Sequence, residues 1–201
     1  MSEKLLGVVG VIRTEDSQIA YNLAKAWNPT AISNIEITMT VPNALEIIER
    51  LIGEGVTRLG GGTVRTVEQV QALAKMGAAF AVLPHADERV IKTAVDLALP
   101  VTPGALTPTE IVQVMQWGAS AAKVFPIKSV GGLSYVEAVL EPLPDAKLVV
   151  SGGVQPAEVQ SYLKLGCVGV CMGGALWDLE LAKSGDIQKI TAYTEHALLS
   201  M

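Results

Sequence analysis

The segment Ala121-Ala122-Lys123-Val124-Phe125-Pro126-Ile127 predicts a short buried β-strand with a lysine near its centre. Burial is unfavourable for a charged lysine, because an apolar environment removes its hydration. A free lysine, with a pKa of about 10.4, is almost wholly protonated at neutral pH. A buried lysine with a lowered pKa is a nucleophile that can attack a carbonyl carbon and form a Schiff base. The alternative is a structural lysine at a strand end, whose ammonium group reaches solvent.

Segments with the patterns of strands and helices alternate on both sides of this strand. The predicted strands are Leu5–Arg13, Ile32–Val41, Thr57–Val64, Phe80–Pro84, Pro100–Leu106, the segment around Lys123, Lys147–Gly153 and Cys167–Met172. A helix is predicted after each strand, over Thr14–Trp27, Pro42–Gly53, Val67–Met76, Glu88–Ala98, Pro108–Trp117, Leu133–Leu140, Pro156–Leu165 and most of Asp178–Met201. This alternation predicts an α/β fold in which residues 1–201 form one (β/α)8 TIM barrel with short loops. The alternative is a doubly wound open sheet, although about five or six strands is its usual number.

The composition is that of an apolar chain with an acidic surface. Of its 201 residues 50% are hydrophobic, and the mean hydropathy of +0.40 fits a large core together with a buried subunit interface. The net charge of -5 argues against nucleic acid as a partner. No apolar run reaches the roughly 18 residues of a membrane span, so no membrane partner is expected. Cys167 and Cys171 lack the spacing of a zinc or redox motif, which favours core thiols in a reducing cytoplasm.

The second predicted strand carries polar residues on one face. Glu36, Thr38 and Thr40 alternate with apolar residues, so they share one side of the strand. In a barrel the apolar side meets the helices, and Glu36 then points into the lumen. A carboxylate there, close to Lys123, is a candidate general acid and base. The alternative is a buried ion pair of Glu36 with Lys123 or Arg13.

Glycine-rich segments end three of the predicted strands. Gly60-Gly61-Gly62-Thr63 ends the third strand, where a substrate can approach the backbone and Thr63 can donate its hydroxyl group. The alternative is a tight turn with Thr63 or Thr66 as a helix cap. Ser151-Gly152-Gly153 ends the seventh strand and Gly173-Gly174 the eighth. Loops at these two places in a TIM barrel often bind phosphate through backbone N–H groups.

Other side chains are predicted at the same rim of the barrel. Phe125 lies two residues after Lys123 and is expected to exclude water above the amine. Arg13 ends the first strand, where it either clamps a carboxylate or phosphate or stays solvated. Pro84 is expected to shape the wall of the site. The two histidines are expected to be polar surface residues, and with no acidic cluster beside them no metal site is predicted.

Together these segments resemble the class I 2-keto-3-deoxy-6-phosphogluconate (KDPG) and 2-keto-4-hydroxyglutarate (KHG) aldolases. The resemblance extends from about Val8 to the C-terminus. It rests on one motif for each strand from the second to the eighth: Ile35-Glu36-Ile37-Thr38, Gly60-Gly61-Gly62-Thr63-Val64, Leu83-Pro84-His85, Thr102-Pro103-Gly104, Lys123-Val124-Phe125-Pro126, Ser151-Gly152-Gly153-Val154 and Met172-Gly173-Gly174.

The resemblance implies a compact barrel that assembles as a homotrimer and works without a metal or an organic cofactor. Its substrate would be a 2-keto-4-hydroxy acid, cleaved reversibly into pyruvate and an aldehyde, either glyceraldehyde 3-phosphate or glyoxylate. Lys123 matches the lysine that forms the Schiff base, and Glu36 matches the acid/base. The residues that match the pyruvate half of the site are Thr63, Pro84 and Phe125. Those that match the phosphate-binding loops are Ser151, Gly152, Gly153, Gly173 and Gly174.

The chain departs from the family pattern at three positions. Many members have an arginine that contacts the pyruvate carboxylate where this chain has Thr40, and our hypothesis is that Arg13 supplies the missing cation. Ser151 and Gly174 stand where threonine and serine are frequent, and losing one hydroxyl group is expected to weaken phosphate binding about fivefold. Two other functions are open at this point. One is a phosphosugar isomerase or epimerase that uses Glu36 without a covalent lysine, and the other is a non-catalytic barrel that binds a phosphorylated metabolite.

Overall fold

The computed structural model describes residues 7–201 and shows a parallel sheet of eight strands in the order β5-β4-β3-β2-β1-β8-β7-β6. The strands are β1 (Gly7–Ile12), β2 (Asn34–Thr38), β3 (Leu59–Gly62), β4 (Ala81–Val82), β5 (Val101–Thr102), β6 (Ala122–Val124), β7 (Leu148–Ser151) and β8 (Gly169–Met172). Just beyond β5, the Lys123 N–H donates to the Pro103 carbonyl oxygen at 2.8 Å and the Ala105 N–H donates to the Lys123 carbonyl oxygen at 3.0 Å. These bonds join the two ends of the sheet. The chain is therefore a (β/α)8 barrel, and the open-sheet alternative is wrong.

Helices surround the barrel, and capping residues mark where several of them begin. They are α1 (Ser17–Trp27), α2 (Ala44–Gly53), α3 (Val67–Lys75), α4 (Glu88–Asp96), α5 (Pro108–Gln116), α6 (Leu133–Leu140), α7 (Val159–Lys164), α8 (Leu179–Ser184) and α9 (Ile187–Leu198). The Asp16 carboxylate accepts hydrogen bonds from two amides of the first turn of α1. Thr107 and Glu110 form a capping box at α5. Such caps satisfy amides that would otherwise lack partners, so they fix where each helix begins.

Apolar side chains occupy two separate layers. The larger layer lies between the strands and the helices. A smaller cluster fills the lumen, where Val9, Phe80, Val82, Ala121, Val149 and Cys171 pack together. The buried polar residues Glu36 and Lys123 alternate along β2 and β6 with outward-facing apolar residues, so they point into this lumen. The lumen therefore has an apolar floor beneath a polar centre.

Several predicted boundaries need correction. All eight strands are shorter than the sequence pattern indicates, because residues at their ends, apolar as well as polar, belong to the connecting loops; Leu5 and Leu6 lie outside the described residues. Pro42 precedes α2 instead of standing in its first turn, since the N-cap is Asn43, with a φ of 56°. The last predicted helix is two helices separated by Gly185, which has a φ of 70°. A 3-10 helix over Ile127–Val130, absent from the sequence prediction, follows β6. None of the helices in residues 7–201 has both the length and the apolarity needed to cross a membrane.

Candidate active site

Lys123 and Glu36 lie at the centre of the lumen. Lys123 is 8% exposed and Glu36 is 4% exposed. Burial raises the pKa of the Glu36 carboxyl, with Lys123 and Arg13 opposing the shift. Burial likewise lowers the pKa of the Lys123 amine, chiefly against the attraction of Glu36. Within residues 7–201, none of the ion pairs closer than 4.0 Å includes either group. The two groups are therefore more than 4.0 Å apart, yet close enough for each to shift the pKa of the other.

Gly62 leaves free the space that the Glu36 side chain occupies. Register pairs Glu36 of β2 with Gly60 of β3 and Thr38 with Gly62. A Cβ atom built at Gly62 would lie 2.5 Å from the Glu36 Cγ and would overlap the carboxylate. Contacts below about 3 Å are not tolerated between carbon atoms, so the absence of a side chain at Gly62 is what permits the position of Glu36. The glycines of this segment therefore shape the lumen as well as the turn that follows.

Three polar residues from three strands meet at the rim above Glu36. The Arg13 guanidinium donates to the Thr63 Oγ1 at 3.1 Å and to the Thr40 Oγ1 at 3.5 Å. Thr40 and Thr38 also share a hydrogen bond of 2.8 Å between their hydroxyl groups. Thr63 has a φ of 54°, an unfavourable backbone conformation for a β-branched residue. Thr66, and not Thr63, caps α3. Arg13 is thus held over the site by two hydroxyl groups and still presents exposed N–H donors.

Phe125 and Pro84 form parts of the wall. The ring centroid of Phe125 lies 5.5 Å from the Lys123 Nζ, within range of a cation–π contact. The ring is 46% exposed, so it borders the amine on one side and does not seal it from water as expected. Pro84 is half-buried, and a Cβ built at Gly104 would lie 2.6 Å from its carbonyl carbon, so β4 and β5 approach closely there. His85 and the other histidine are both exposed.

The two glycine loops start side by side. Register pairs Ser151 with Cys171, so the loops that leave β7 and β8 are neighbours. Gly152 and Gly153 have φ values of 100° and 88°, which glycine adopts without strain. In the described part of the chain, no acceptor takes a hydrogen bond from the amides of Gly152, Gly153, Gly173 or Gly174. Unused N–H groups on adjacent loops can bind a phosphate or a carboxylate.

Comparisons with known proteins agree with this arrangement. The family model described as "KDPG and KHG aldolase" matches residues 2–193. The KHG/KDPG aldolase of Escherichia coli strain K12 is 30% identical over 193 residues, which cover 95% of this chain and 90% of that protein. The chain belongs to the KDPG and KHG aldolase family. It is therefore an aldolase, a carbon–carbon lyase, and neither an isomerase nor an idle barrel.

Two other relatives of this KDPG and KHG aldolase are informative. The 2-dehydro-3-deoxy-6-phosphogalactonate aldolase of E. coli is 35% identical over 138 residues, covering 68% of this chain and 67% of that protein. The KDPG aldolase of Legionella pneumophila was solved with pyruvate captured as a covalent carbinolamine intermediate. It superposes with a TM-score of 0.85 at 25% identity, covering 97% of this chain and 95% of that one.

The sequence does not predict that two further side chains lie beside the site of this KDPG and KHG aldolase. Cys171 was assigned to the core, yet it lies in the lumen close enough to Lys123 and Glu36 to interact with their charges. Lys128 was not singled out, although its side chain lies along Gly153. The period-two pattern of β8 could have placed Cys171 inward. Nothing in the sequence around Lys128 predicted the 3-10 helix that directs it.

Proposed function

We propose that Lys123 and Glu36 carry out the aldolase reaction on 2-keto-4-hydroxy acids such as 2-keto-3-deoxy-6-phosphogluconate and 2-keto-4-hydroxyglutarate. The observation that carries this assignment is the pairing of a buried amine of lowered pKa with a buried carboxyl of raised pKa in one lumen. Opposite shifts of this kind suit an amine nucleophile and a proton carrier that both work near neutral pH.

The reaction follows from the two groups. The neutral amine of Lys123 attacks the C2 carbonyl carbon of the keto acid and forms a carbinolamine, and Glu36 protonates its hydroxyl group so that it leaves as water. Glu36, now ionised, removes the proton of the C4 hydroxyl group. The C3–C4 bond then breaks, the aldehyde leaves, and the electron pair moves through C3 to the iminium nitrogen. Protonation of the resulting enamine at C3 and hydrolysis of the imine release pyruvate and restore the amine.

The remaining site residues bind the two ends of the substrate. Arg13, with Thr40 and Thr63 holding it, is suited to the C1 carboxylate of the pyruvate half, because guanidinium groups bind carboxylates through paired N–H donors. Pro84 and Phe125 are suited to its apolar part. The loops Ser151-Gly152-Gly153 and Gly173-Gly174 are suited to the phosphate of the aldehyde half, since their four glycine amides donate to no acceptor among residues 7–201. The scheme uses the substrate, the protein and the water molecule that hydrolyses the imine.

Reduction with borohydride in the presence of pyruvate tests the proposal. The wild-type protein should gain a stable adduct by intact mass, and peptide mapping should place it on Lys123. The variant Lys123→Met should gain none, while Lys147→Met, which removes an exposed lysine ahead of β7, should gain the same adduct as the wild type. Absence of an adduct on folded wild-type protein in excess pyruvate would refute the covalent mechanism.

The assembly and the location of the protein are also proposals. A homotrimer of one-domain subunits, each spanning residues 1–201, is supported by the family resemblance and by exposed apolar side chains on α4 and α5, with Val95 at 41% and Val112 at 38% exposure. A cytoplasmic location is supported by the two free buried cysteines. Sedimentation velocity of the wild type and of Val112→Asp tests the trimer, because a charge in a buried interface should shift the population towards monomer.

A further inference from the structure

Lys128 lies four residues beyond the end of β6, the strand that carries Lys123. It is the second residue of the 3-10 helix Ile127–Val130, which the fully buried Ile127 anchors to the core. Its backbone N–H donates to the Gly152 carbonyl oxygen at 3.3 Å, so its Cα is tied to the loop after β7. The position of Lys128 is therefore fixed by its backbone, while its ammonium group is free to adjust.

The stem of Lys128 lies on the face of Gly153. A Cβ built at Gly153 would be 3.0 Å from the Lys128 Cδ and 3.1 Å from its Cβ. A larger residue at position 153 would displace the methylene chain of Lys128. Glycine is therefore favoured here both by the space that the lysine needs and by the backbone φ of 88°. The arrangement directs a four-carbon side chain along a loop whose two glycine amides have no acceptor in the described part of the chain.

Within residues 7–201, no carboxylate lies within 4.0 Å of the Lys128 ammonium group. Three other exposed lysines are each paired with an acidic residue in their own helix or at its N-cap. Although the protein has a net charge of -5, the ammonium group of Lys128 thus stays available beside amides that can bind an anion. Free ammonium groups beside backbone donors are suited to phosphate, because the lysine supplies charge that the amides lack.

The position of the loop relative to the amine sets which part of the substrate Lys128 reaches. The Phe125 ring centroid lies 5.5 Å from the Lys123 Nζ, and a Cβ built at Gly152 would be 3.0 Å from the Cδ2 of the same ring. The ring therefore borders both the reacting amine and the loop that Lys128 follows.

We propose that Lys128 is a specificity-determining residue that binds the terminal phosphate monoester of the substrate together with the amides of Gly152 and Gly153. This inference rests on the proposed function. It predicts preference for keto acids with a phosphate on the aldehyde half. For 2-keto-4-hydroxyglutarate, whose second carboxylate is joined directly to C4, it predicts no contact with Lys128.

The test compares kcat/KM for cleavage of 2-keto-3-deoxy-6-phosphogluconate and of its unphosphorylated counterpart. The variant Lys128→Met should lower the ratio of the two values about tenfold through KM, because it removes one charge-assisted bond to a phosphate that the loop amides still hold. Lys128→Arg should keep most of the ratio. Lys164→Met, which removes an exposed lysine at the end of α7, should keep the wild-type ratio and serves as the matched control.

The outcomes separate this inference from the proposed function. If the wild type traps pyruvate on Lys123 and Lys128→Met keeps the wild-type ratio, the role of Lys128 is refuted and the aldolase mechanism stands. If the wild type traps no pyruvate, both fall together. Should Lys128→Met fail to fold by circular dichroism, Lys128→Gln takes its place. In the wild-type protein the ratio should fall at high salt, because salt screens the attraction between the ammonium group and the phosphate. A ratio that is the same at low and high salt would equally refute the inference.

Discussion

Arg13, just after β1, and Thr63, just after β3, are joined by a hydrogen bond of 3.1 Å that spans the intervening β2. The bond passes above Thr40, whose hydroxyl group is also within 3.5 Å of the same guanidinium. Thr40 is the position where many family members have an arginine. The geometry therefore brings a cation from a neighbouring strand to the position of Thr40.

Replacing Arg13 with alanine should raise KM for pyruvate-type substrates about tenfold or more and should leave kcat less affected. The reason is that a bidentate charge-assisted contact to the substrate carboxylate is lost in the ground state and the transition state alike. Steady-state kinetics of cleavage measures both constants. Arg65→Ala, which removes an exposed arginine in the loop before α3, is the control. An unchanged KM in Arg13→Ala would contradict the role given to Arg13.

A methyl group at Gly62 should inactivate the enzyme without unfolding it. In Gly62→Ala the new Cβ takes the space of the Glu36 side chain, so the carboxylate must move away from the reacting carbon. Loss of a positioned acid and base typically lowers kcat by about two orders of magnitude or more. Steady-state kinetics and thermal unfolding measure the two effects. Gly53→Ala on α2, where nothing lies within 4 Å, should keep full activity; wild-type kcat in Gly62→Ala would contradict the steric argument.

The barrel was predictable because the residue patterns that specify its strands and helices are local in the sequence. Alternating patterns place strands, and caps such as Thr107-Pro108 place helix starts, while eight parallel strands with short connections leave few topologies. Strand ends were less predictable, because the residues of Pro100–Leu106 beyond Thr102 are apolar enough to extend the strand, although Pro103 cannot donate to a ladder. The split of the last helix follows from Gly185, because glycine ends a helix readily in the left-handed conformation.

Candidate site residues were predictable where the residue type and its position on a strand together indicate a chemical role. A lysine in a buried strand and a glutamate on a polar strand face indicated the central pair. Relations between strands were harder, because the space that Gly62 leaves for Glu36 depends on the register of β2 and β3. Lys128 depends on a 3-10 helix whose direction is set by contacts with a distant loop.

The C-terminal helix α9 is expected to stabilise the β8 end of the site through one buried threonine. Thr194 Oγ1 accepts a hydrogen bond of 3.0 Å from the Trp27 indole N–H and contacts the Leu176 carbonyl oxygen at 3.0 Å, in the segment that follows Gly174. Thr194→Val leaves the indole N–H without a partner, and should lower the free energy of unfolding by about 1–3 kcal/mol. Urea denaturation measures it.

The control for that change is Thr93→Val on α4. The Thr93 hydroxyl group donates to the carbonyl oxygen of Arg89, four residues earlier, at 2.8 Å, but this bond is exposed and Thr93 is only half-buried. Its loss should change the free energy of unfolding by no more than about 0.5 kcal/mol. Equal effects in Thr194→Val and Thr93→Val would show that the bond to Trp27 contributes nothing.

Removing the charge of Glu36 should shift the titration of Lys123 to lower pH. Burial lowers the pKa of the amine from its ordinary 10.5 and Glu36 opposes that shift, so Glu36→Gln removes an influence that raises it. The neutral amine then forms at lower pH, and labelling of Lys123 should rise earlier as pH increases. Trace acetylation by a small neutral reagent, followed by peptide mapping, measures this rise without requiring Glu36 as a catalyst. Glu46→Gln on α2 should keep the wild-type profile, and a rise in Glu36→Gln at the same or a higher pH would contradict the influence assigned to Glu36.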